Sequence, residues 1–380
     1  MGRAPEVAVV GAGIVGLCTA FALAERGTAV RVYESGVPGH GQSGGQSRIF
    51  RHAHDDPRLV EFTRQGRAVW DEWAERLGAE LISGDGVVAL GGSVPDRLSI
   101  LQEAGGIPAR TVDSAELHER MPLLADYGGP AMLDEGGGAI RTRTAVESLV
   151  GALGDAVVTD EVISLHPTGR GTVEVLSSVG REEYATAVVC AGMGTARLAR
   201  TVGLSLPVQP AAHVRLTFQV RGAPPERVAC LQDSSGDFGE VGVYATPYPG
   251  NSRYAVGLSE TVEVREDGSF ADPQALVALN DRARAYVSRA LPGLDPEPVE
   301  YLHCWVTSLP WSEDGMAVWE ADGIYFAAGH NLFKQAPRLG RALAAAALGE
   351  GLEENLRPAA ALGRPADGPL RSARTLRPAG

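Results

Sequence analysis

The feature that most constrains the fold is a glycine triplet between an apolar strand and an apolar helix. Residues 7–10 read VAVV, the next six read GAGIVG, and an apolar helical stretch follows. Gly11 permits a tight turn, Gly13 lets a phosphate approach the backbone, and Gly16 lets the helix pack closely on the strand. The segment therefore predicts a βαβ unit that binds a dinucleotide.

The helix and the second strand of this unit complete the cofactor pattern. Ile14 and Val15 begin the helix, whose free N–H groups and partial positive charge favour phosphates. The second strand-like run, AVRVYE, ends at Glu34, 18 residues after Gly16. A carboxylate at this position accepts hydrogen bonds from ribose hydroxyls and disfavours a 2′-phosphate. NAD and FAD both satisfy this pattern, and the alternative for Glu34 is a solvated strand end.

Composition limits the class of protein. The 380 residues are 44% hydrophobic and 21% charged, which is enough to bury a large core and to form two domains. The net charge of −13 argues against binding to nucleic acid or to an anionic membrane. Four cysteines without paired spacing exclude a disulfide scaffold and a zinc-ribbon site. No apolar run is long enough to span a bilayer, and we expect a cytoplasmic protein.

The order of the predicted elements indicates a discontinuous cofactor-binding domain. β/α stretches occur at the start, the middle and the end of the chain, and β-rich stretches separate them. Residues 1–85, 141–205 and 300–350 are assigned to a Rossmann-like dinucleotide-binding domain, and residues 86–140 and 206–299 to a discontinuous antiparallel-sheet domain that binds substrate. Residues 351–380, rich in proline, arginine and glycine, are expected to form a poorly ordered tail. The predicted class is α/β, or α+β over the whole chain.

Residues 41–54, which read GQSGGQSRIFRHAH, favour FAD over NAD. A run of small polar residues there leads into SRIFRH at residues 47–52. This segment resembles the D-amino-acid-oxidase-like flavoprotein superfamily, and most closely its monomeric sarcosine oxidase branch. The resemblance spans about residues 5–350 and includes AVVCAGMGT, LPVQP and the stretch from Cys304 through Gly315 to Lys334. It implies a Rossmann-like FAD-binding domain with an inserted antiparallel-sheet substrate domain.

The resemblance also implies contacts with FAD beyond the glycine loop and Glu34. Val162 would contact the adenine through its backbone, and Gly192 would lie near the pyrophosphate. The alternative is that both are ordinary strand and turn residues. The other positions implied along the cofactor are Ser43, Gln46, Ser47, Arg48, Cys304, Gly329 and Lys334.

Cys304 is a candidate for covalent attachment of FAD. It lies in the run HCWVT. In sarcosine-oxidase-like enzymes a cysteine followed two residues later by an aromatic residue, and then by threonine, bonds to a flavin methyl group. Thr307 matches this pattern, but Val306 stands where the aromatic residue is expected. The alternative to a covalent link is a small buried thiol.

The cations near the cofactor loop are candidates for binding substrate. Of the 34 basic residues only Lys334 is a lysine, and the resemblance implies that Arg51 and Lys334 hold the substrate carboxylate over the flavin, with Arg48 as a further catalytic residue. A carboxylate removed from water needs charge-assisted partners, each worth roughly 1.5–3 kcal/mol. The alternatives are an ion pair of Arg51 with Asp55 or Asp56, and an exposed Lys334 in the first turn of a helix.

Histidines near these positions are not interpreted as metal ligands. His52 and His54 have acidic neighbours, but no third cluster of ligands supports a metal site. His303 and His330 are expected to be hydrogen-bonding residues and not catalytic ones.

The reaction implied by the resemblance is oxidation of a C–N bond in an amino acid to an imine. The flavin accepts a hydride from the carbon next to nitrogen, and O₂ then accepts the electrons and forms H₂O₂. A secondary amine, such as an N-methyl or cyclic amino acid, is the usual substrate of this branch. The alternatives are a related FAD-dependent dehydrogenase or biosynthetic tailoring enzyme with another electron acceptor and, less favoured, a flavin hydroxylase.

Two departures from the branch bear on this interpretation. The branch has a lysine in the strand near residues 253–257 that assists the reaction with oxygen, and alignment places Ala255 there. Either Arg48 or Arg253 then supplies the positive charge, or another acceptor replaces O₂. In addition, the loop from Gly329 to Lys334 is about two residues shorter than in the branch, so the identity of the substrate does not carry over.

Overall fold

The computed structural model of the chain describes residues 6–265 and 267–365. Its strands are β1 (Val7–Val10), β2 (Val30–Glu34), β3 (Ser47–Phe50), β4 (Val87–Leu90), β5 (Ala109–Thr111), β6 (Ala131–Asp134), β7 (Gly138–Arg141), β8 (Val157–Thr159), β9 (Val162–Pro167), β10 (Val173–Ser177), β11 (Arg181–Tyr184), β12 (Thr186–Val189), β13 (Gln209–Val220), β14 (Cys230–Asp233), β15 (Val243–Pro247), β16 (Arg253–Leu258), β17 (Val262–Glu263), β18 (Leu294–Ser308), β19 (Met316–Ala321) and β20 (Ile324–Gly329). Its α-helices are α1 (Ile14–Glu25), α2 (Pro57–Leu77), α3 (Val94–Ala104), α4 (Ser114–Arg120), α5 (Thr142–Leu153), α6 (Thr195–Arg200), α7 (Pro273–Ala290) and α8 (Leu332–Ala347). The combination of helices with parallel and antiparallel sheets confirms the predicted fold class.

A six-stranded sheet in the order β19-β20-β12-β1-β2-β8 carries the glycine loop. Strand β1 pairs in parallel with β2 and β12, and β20 and β8 extend the parallel sheet on either side, whereas β19 is antiparallel to β20. The carboxyl ends of parallel strands meet at one edge of a sheet, which is where such folds bind their ligands. The loop after β1, the end of β2 and the turn after β12 therefore lie together at this edge.

Different elements cover the two faces of this sheet. Val7 and Val9 of β1 pack into a core shared with helices α1, α2, α5 and α8. Ala8 and Val10 pack into a core shared with the three-stranded antiparallel sheet β9–β11. The alternation follows from the two-residue period of a strand. Burial on both faces accounts for the unbroken apolar run VAVV.

Helix α8 is held close to α1 and α2. A Cβ atom added at Gly340 would lie 2.7 Å from the backbone carbon of Cys18, so α8 approaches α1 where only glycine fits. Trp70 of α2 donates from Nε1 to the carbonyl oxygen of Lys334 at 2.9 Å, and its ring stacks on Phe333. These contacts fix the first turn of α8, which carries Lys334.

The second large sheet has nine strands and combines β4–β6 with β13–β18. Helix α7 packs over it through an apolar face that includes Leu279 and Tyr286. Strand β18 pairs with β13 in antiparallel register as far as Ser308. Residues 300–308, assigned from the sequence to the cofactor-binding domain, therefore lie in the antiparallel sheet, because this long strand does not end at residue 300.

Residues 351–365 pack against the cofactor-binding part, whereas the sequence predicts a poorly ordered tail from residue 351 onwards. Leu352, Leu356 and Leu362 are 7%, 0% and 1% exposed and share a core with α1, α2 and α8. The backbone N–H of Gly363 donates to Asp56 Oδ2 at 2.8 Å. Composition misleads here because three spaced leucines anchor the segment. Residues 366–380 lie outside the described part of the chain.

Candidate active site

A cavity of about 2250 Å³ opens between the edge of the six-stranded sheet and the nine-stranded sheet. It runs from the glycine loop and Glu34 to the first turn of α8. The predicted site residues that line it are Gly11, Gly13, Ile14, Val15, Glu34, Ser43, Arg48, Arg51, Val162, Gly192, Cys304, Gly329 and Lys334. A single cavity therefore brings together the predicted cofactor and substrate residues from six separate stretches of the chain.

The glycine loop leaves space for a phosphate because side chains are excluded from it. Gly11 has a φ of +99°, and a Cβ atom on it would lie 2.6 Å from the carbonyl oxygen of Cys190. A Cβ on Gly16 would lie 1.9 Å from the carbonyl oxygen of Gly11. Gly16 does not line the cavity, so it serves the close packing of α1 on β1. Ser43 Oγ accepts a hydrogen bond from the N–H of Ile14 at 2.9 Å and brings a hydroxyl to the helix N-terminus.

Glu34 is held at the adenosine end of the cavity by the backbone. Its Oε2 accepts from the N–H of Ala12 and its Oε1 from the N–H of Gly36, both at 2.9 Å. Each carboxylate oxygen keeps a further lone pair. Val162 lines the same end, where its carbonyl oxygen accepts from Arg197 Nη2 at 3.2 Å. The carboxylate is thus fixed where it can accept hydrogen bonds from ribose hydroxyls.

The loop before β3 departs from the expected arrangement. Gln46, predicted along the cofactor, is exposed and does not line the cavity, since the chain turns at Gly45, where φ is +103°. Gln42 lines the cavity in its place, packs against Gly192 and donates to the carbonyl oxygen of Trp305 at 3.2 Å. The glutamine chosen from the sequence is therefore corrected from position 46 to position 42.

Ser47 also departs from its predicted place along the cofactor. Its side chain is fully buried behind the cavity wall and contacts Thr246 and Arg215. Ser47 therefore supports the wall and does not form part of it.

Arg51 and Lys334 converge on the carboxylate of Asp314. Arg51 Nη2 lies 2.7 Å from Asp314 Oδ2, and Lys334 Nζ lies 3.9 Å from Oδ1. His54 Nδ1 lies 3.0 Å from Oδ2, and Asn331 Nδ2 donates to Oδ1 at 2.5 Å. Asp314 is absent from the predicted site residues. Its Asp-Gly dipeptide in a stretch that leads into a buried strand was the available signal.

The alternative pairings considered for Arg51 do not form. Asp55 pairs with Arg97 at 3.4 Å, and Asp56 pairs with Arg58 at 2.8 Å while capping the start of α2. Arg51 is thereby left to the cavity and to Asp314.

Lys334 is buried at the cavity wall and not exposed on α8, since only 5% of its surface is accessible. Within the described residues no acceptor lies at hydrogen-bond distance from Nζ, and Asp314 is its acidic neighbour. Burial lowers the pKa of Lys334 to about 8, with the Asp314 charge opposing this effect and the Arg51 charge adding to it. The ammonium therefore has free hydrogen-bonding capacity and titrates close to neutral pH.

The charges around Asp314 set the ionisation of its neighbours. Burial alone would raise the pKa of Asp314, but the Lys334 and Arg51 charges and the hydrogen bond from His54 hold it well below its usual range. Burial and the Arg51 charge lower the pKa of His54 to about 3. At neutral pH the cluster therefore holds two cations, one anion and a neutral imidazole.

Two neutral histidines lie beside this cluster. His213 of β13 and His330 approach each other with Nε2 atoms 3.3 Å apart. Burial lowers the pKa of His213 to about 4 and that of His330 to about 3. His213 Nδ1 also bonds to the carbonyl oxygen of Glu260 at 3.0 Å. The expected role of His330 as a hydrogen-bonding residue agrees with this geometry.

The far wall of the cavity carries Cys304 and two arginines. Cys304 of β18 pairs with His213 of β13 and is partly buried. Arg48 and Arg215 both line the cavity near it. The sequence missed Arg215, although an arginine within the apolar run HVRLTF was a usable signal.

The two positions considered for an oxygen-activating charge near residue 255 do not reach the cavity. Arg253 is exposed at the start of β16, and Ala255 is fully buried without lining the cavity. Of the two arginines proposed from the sequence to supply a charge, Arg48 therefore remains and Arg253 is excluded.

Two further searches bear on function. Within residues 6–265 and 267–365 no group of three or more histidine, cysteine, aspartate or glutamate side chains is arranged to hold a metal ion. In the same part of the chain no helix has both the length and the apolar character needed to cross a bilayer.

Comparisons with known sequences agree with the geometry. The family described as "DAO: FAD dependent oxidoreductase" matches residues 6–346. An N-methyl-L-tryptophan oxidase of Yersinia pestis is 26% identical over 230 residues, which cover 57% of this chain and 60% of that protein. The chain thus spans about 60% of the length of the curated relatives it matches.

Solved structures share the fold. NikD, described as an unusual amino acid oxidase essential for nikkomycin biosynthesis, superposes with a TM-score of 0.77 at 21% identity and covers 91% of this chain and 94% of its own. Glycine oxidase from Geobacillus kaustophilus superposes with a TM-score of 0.73 at 21% identity, covering 96% and 99%. At these identities the likeness shows the common architecture.

Proposed function

The chain belongs to the DAO family of FAD dependent oxidoreductases, and from that premise we propose that it oxidises the C–N bond of an amino acid to an imine, with O₂ as the electron acceptor and H₂O₂ as the second product. The observation that carries the proposal is the position of Lys334 and Arg51. Both line the wall of the same cavity that begins at the glycine loop. A buried pair of cations there is suited to an anionic substrate.

The residues at the edge of the six-stranded sheet fit FAD. The glycine loop admits a pyrophosphate where a Cβ would clash, Glu34 offers free lone pairs to ribose hydroxyls, and Gly192 and Gln42 lie along the same channel. When bound, FAD supplies the two-electron acceptor for the C–N oxidation. The protein supplies orientation and charge.

Lys334 and Arg51 would bind the carboxylate of the substrate. Asp314 neutralises one of the two cations and is already bonded to Arg51 and Asn331. Lys334 Nζ keeps its hydrogen-bonding capacity, so the cluster has room for one further carboxylate. Each charge-assisted bond to it is worth roughly 1.5–3 kcal/mol. The neutral imidazoles of His54 and His330 add no positive charge that would repel an amine near this point.

A secondary amine is the proposed substrate class. The curated relatives are named N-methyl-L-tryptophan oxidases, and the structural neighbours include proteins described as glycine oxidase and as an unusual amino acid oxidase. These names support an amino acid with a free carboxylate, and the first favours an N-methyl group.

A second candidate is an FAD-dependent dehydrogenase that uses another electron acceptor. Ala255 favours it, since this position is uncharged, fully buried and away from the cavity. Arg48 supports the oxidase, because it brings a positive charge to the cavity wall beside Cys304.

A covalent link between Cys304 and FAD is part of the proposal. The thiol is partly buried at the cavity wall and so can reach a bound ligand. Purified protein in a denaturing gel should give a fluorescent band that Cys304→Ser removes. Complete release of the flavin by acid would refute the link and leave the rest of the proposal intact.

The test of the reaction is anaerobic reduction of the purified yellow protein. N-methyl, cyclic and D-amino acids are added in turn, and bleaching of the visible absorbance identifies the substrate. Air is then admitted and peroxide is measured. Bleaching followed by stoichiometric peroxide supports the oxidase. Bleaching that persists in air supports the dehydrogenase, and a colourless protein that takes up no FAD overturns both.

A further inference from the structure

We propose that Arg48 and Arg215 form a second anion-binding site in the cavity, separate from the Arg51–Lys334 cluster, which takes one small monovalent anion. The site goes beyond the proposed function, since it depends on the arginines themselves and not on a reaction. It rests on two cations that converge at the cavity wall without an acidic partner.

The two guanidinium groups share one acceptor. Arg48 Nη1 and Arg215 Nη1 both donate to the carbonyl oxygen of Ser47, at 3.1 and 2.8 Å. Arg215 Nη2 donates further to Thr246 Oγ1 at 2.6 Å and to Ser47 Oγ at 3.2 Å. Two like charges are therefore held side by side by neutral oxygens. A carbonyl and two hydroxyl oxygens orient the arginines but do not neutralise them.

No carboxylate compensates this pair. Within the described residues neither Arg48 nor Arg215 forms an ion pair, whereas Arg51 and Arg97 each have an acidic partner. The carboxylate of Glu300 is occupied by hydrogen bonds from Thr217 and Tyr248 and does not reach either arginine. A buried charge without a counter-charge is costly, and two adjacent ones are more so. The arrangement is therefore built for an anion that the protein does not itself supply.

The pair also has free donors. Arg215 is only 2% exposed, and its Nε is buried without a hydrogen-bond partner. Both arginines line the cavity. Burial and the neighbouring Arg215 charge lower the pKa of Arg48, with the Cys304 thiol opposing this effect. An anion bound between the guanidinium groups would relieve both costs.

This site is separate from the substrate cluster. Arg48 interacts with Cys304, Arg215, Tyr244 and Tyr248, whereas Arg51 interacts with Asp314, His54, Lys334 and Arg97. His330 lies between them, since its pKa responds to Asp314 and Lys334 on one side and to Arg48 on the other. A ligand at one site thus leaves the other accessible. The single acceptor shared by the two arginines restricts the anion to a small one.

The experiment uses bromide and nitrate on the protein as purified, with sulfate at equal ionic strength as the reference. A saturable rise in Tm is expected with the monovalent anions, because a ligand bound only by the folded state stabilises it. Bromide in crystals should give an anomalous peak between Arg48 and Arg215. Arg215→Gln should weaken the apparent affinity at least about tenfold, as expected for loss of a charge-assisted hydrogen bond.

Matched variants locate the effect. Arg253→Gln, an exposed arginine on β16, and Lys334→Met should both retain the affinity for bromide, while Arg215→Lys should retain it in part. A Tm response equal to that of sulfate, a bromide peak only at Lys334, or full affinity in Arg215→Gln would each overturn the proposal. If Arg215→Gln does not fold, Arg48→Gln and the bromide position in the unmodified protein decide. Bromide bound at this pair in a protein that oxidises no amine would leave the anion site standing and reject the proposed function.

Discussion

Arg51 and Asp314 form a 2.7 Å ion pair inside the cavity, across 263 residues of chain. The carboxylate also accepts from Asn331 and lies 3.9 Å from Lys334 Nζ, so a single internal acid organises both cations proposed to bind substrate. The consequence is a site with one net positive charge. Such a site holds one substrate carboxylate without leaving a strongly uncompensated charge when it is empty.

Lys334→Met should raise the KM for the amino-acid substrate. Loss of one charge-assisted interaction of roughly 1.5–3 kcal/mol lowers kcat/KM by about 10- to 150-fold. Steady-state kinetics check this, with flavin content measured in parallel. Arg341→Met is the matched control, because Arg341 lies on the same helix but pairs at the surface with Glu72. An unchanged KM in Lys334→Met would remove the assignment of this lysine.

The affinity for a simple carboxylate should fall as the pH rises through about 8. The pKa of Lys334 is lowered to about 8, so the ammonium that attracts an anion is present below this pH and is lost above it. Propionate, which has no amine to titrate, is a suitable inhibitor. Its inhibition constant should be flat below about pH 7 and rise above the pKa.

Asp314→Asn should move this midpoint to lower pH. The negative charge of Asp314 raises the pKa of Lys334 against the effect of burial, and the substitution removes that support. The same propionate series measures the shift. Asp71→Asn, which breaks a surface pair with Arg67 on α2, should leave the midpoint where it is. A profile of Asp314→Asn that superposes on that of the parent would show that the two groups are not coupled.

Gly16→Ala should abolish the yellow colour or the folded protein, because the new Cβ would lie 1.9 Å from the carbonyl oxygen of Gly11 and force the glycine loop apart. Visible absorbance and Tm report the two effects. Gly151→Ala is the control on helix α5, where no atom lies within 4 Å of the added Cβ. It should raise stability slightly, since alanine favours a helix over glycine by about 0.5–1 kcal/mol. A yellow, stable Gly16→Ala protein would contradict the packing described for α1.

Leu356→Ala should destabilise the protein by about 2–5 kcal/mol, as expected for a leucine removed from a packed core. Leu356 is fully buried although it lies in the segment expected to be loose. Leu348→Ala, at a position that is 37% exposed, should cost much less. Chemical denaturation of the two variants provides the comparison. Equal small losses would mean that the segment does not contribute to the core.

The local parts of the site were predictable because their information is contiguous. The glycine spacing and the strand and helix patterns around it act within about thirty residues, and they led to the turn at Gly11, the packing role of Gly16 and the position of Glu34. The odd chemistry of Lys334 in an arginine-rich chain pointed to a buried cation. The structure places it 5% exposed at the cavity wall.

The errors fall where a position depends on the path of the chain in space. Gln46 was chosen over Gln42 because nothing in a run of glycines shows which glutamine turns inward. The tail was expected to be loose because its composition hides three leucines that find a core formed by distant helices. The boundary at residue 300 was too early because the length of β18 is set by its partner β13.

The sequence by itself determined the βαβ cofactor unit, the α/β class and the resemblance to FAD dependent oxidoreductases, since each of these depends on residues close together in the chain. Only the tertiary structure decided which charges meet. It paired Arg51 with Asp314 and not with Asp55 or Asp56, and it set Arg215 beside Arg48. The physical reason is that the energy of a charge depends on the groups within a few ångströms of it in a low-dielectric interior, and these groups come from strands and helices that the linear sequence keeps far apart.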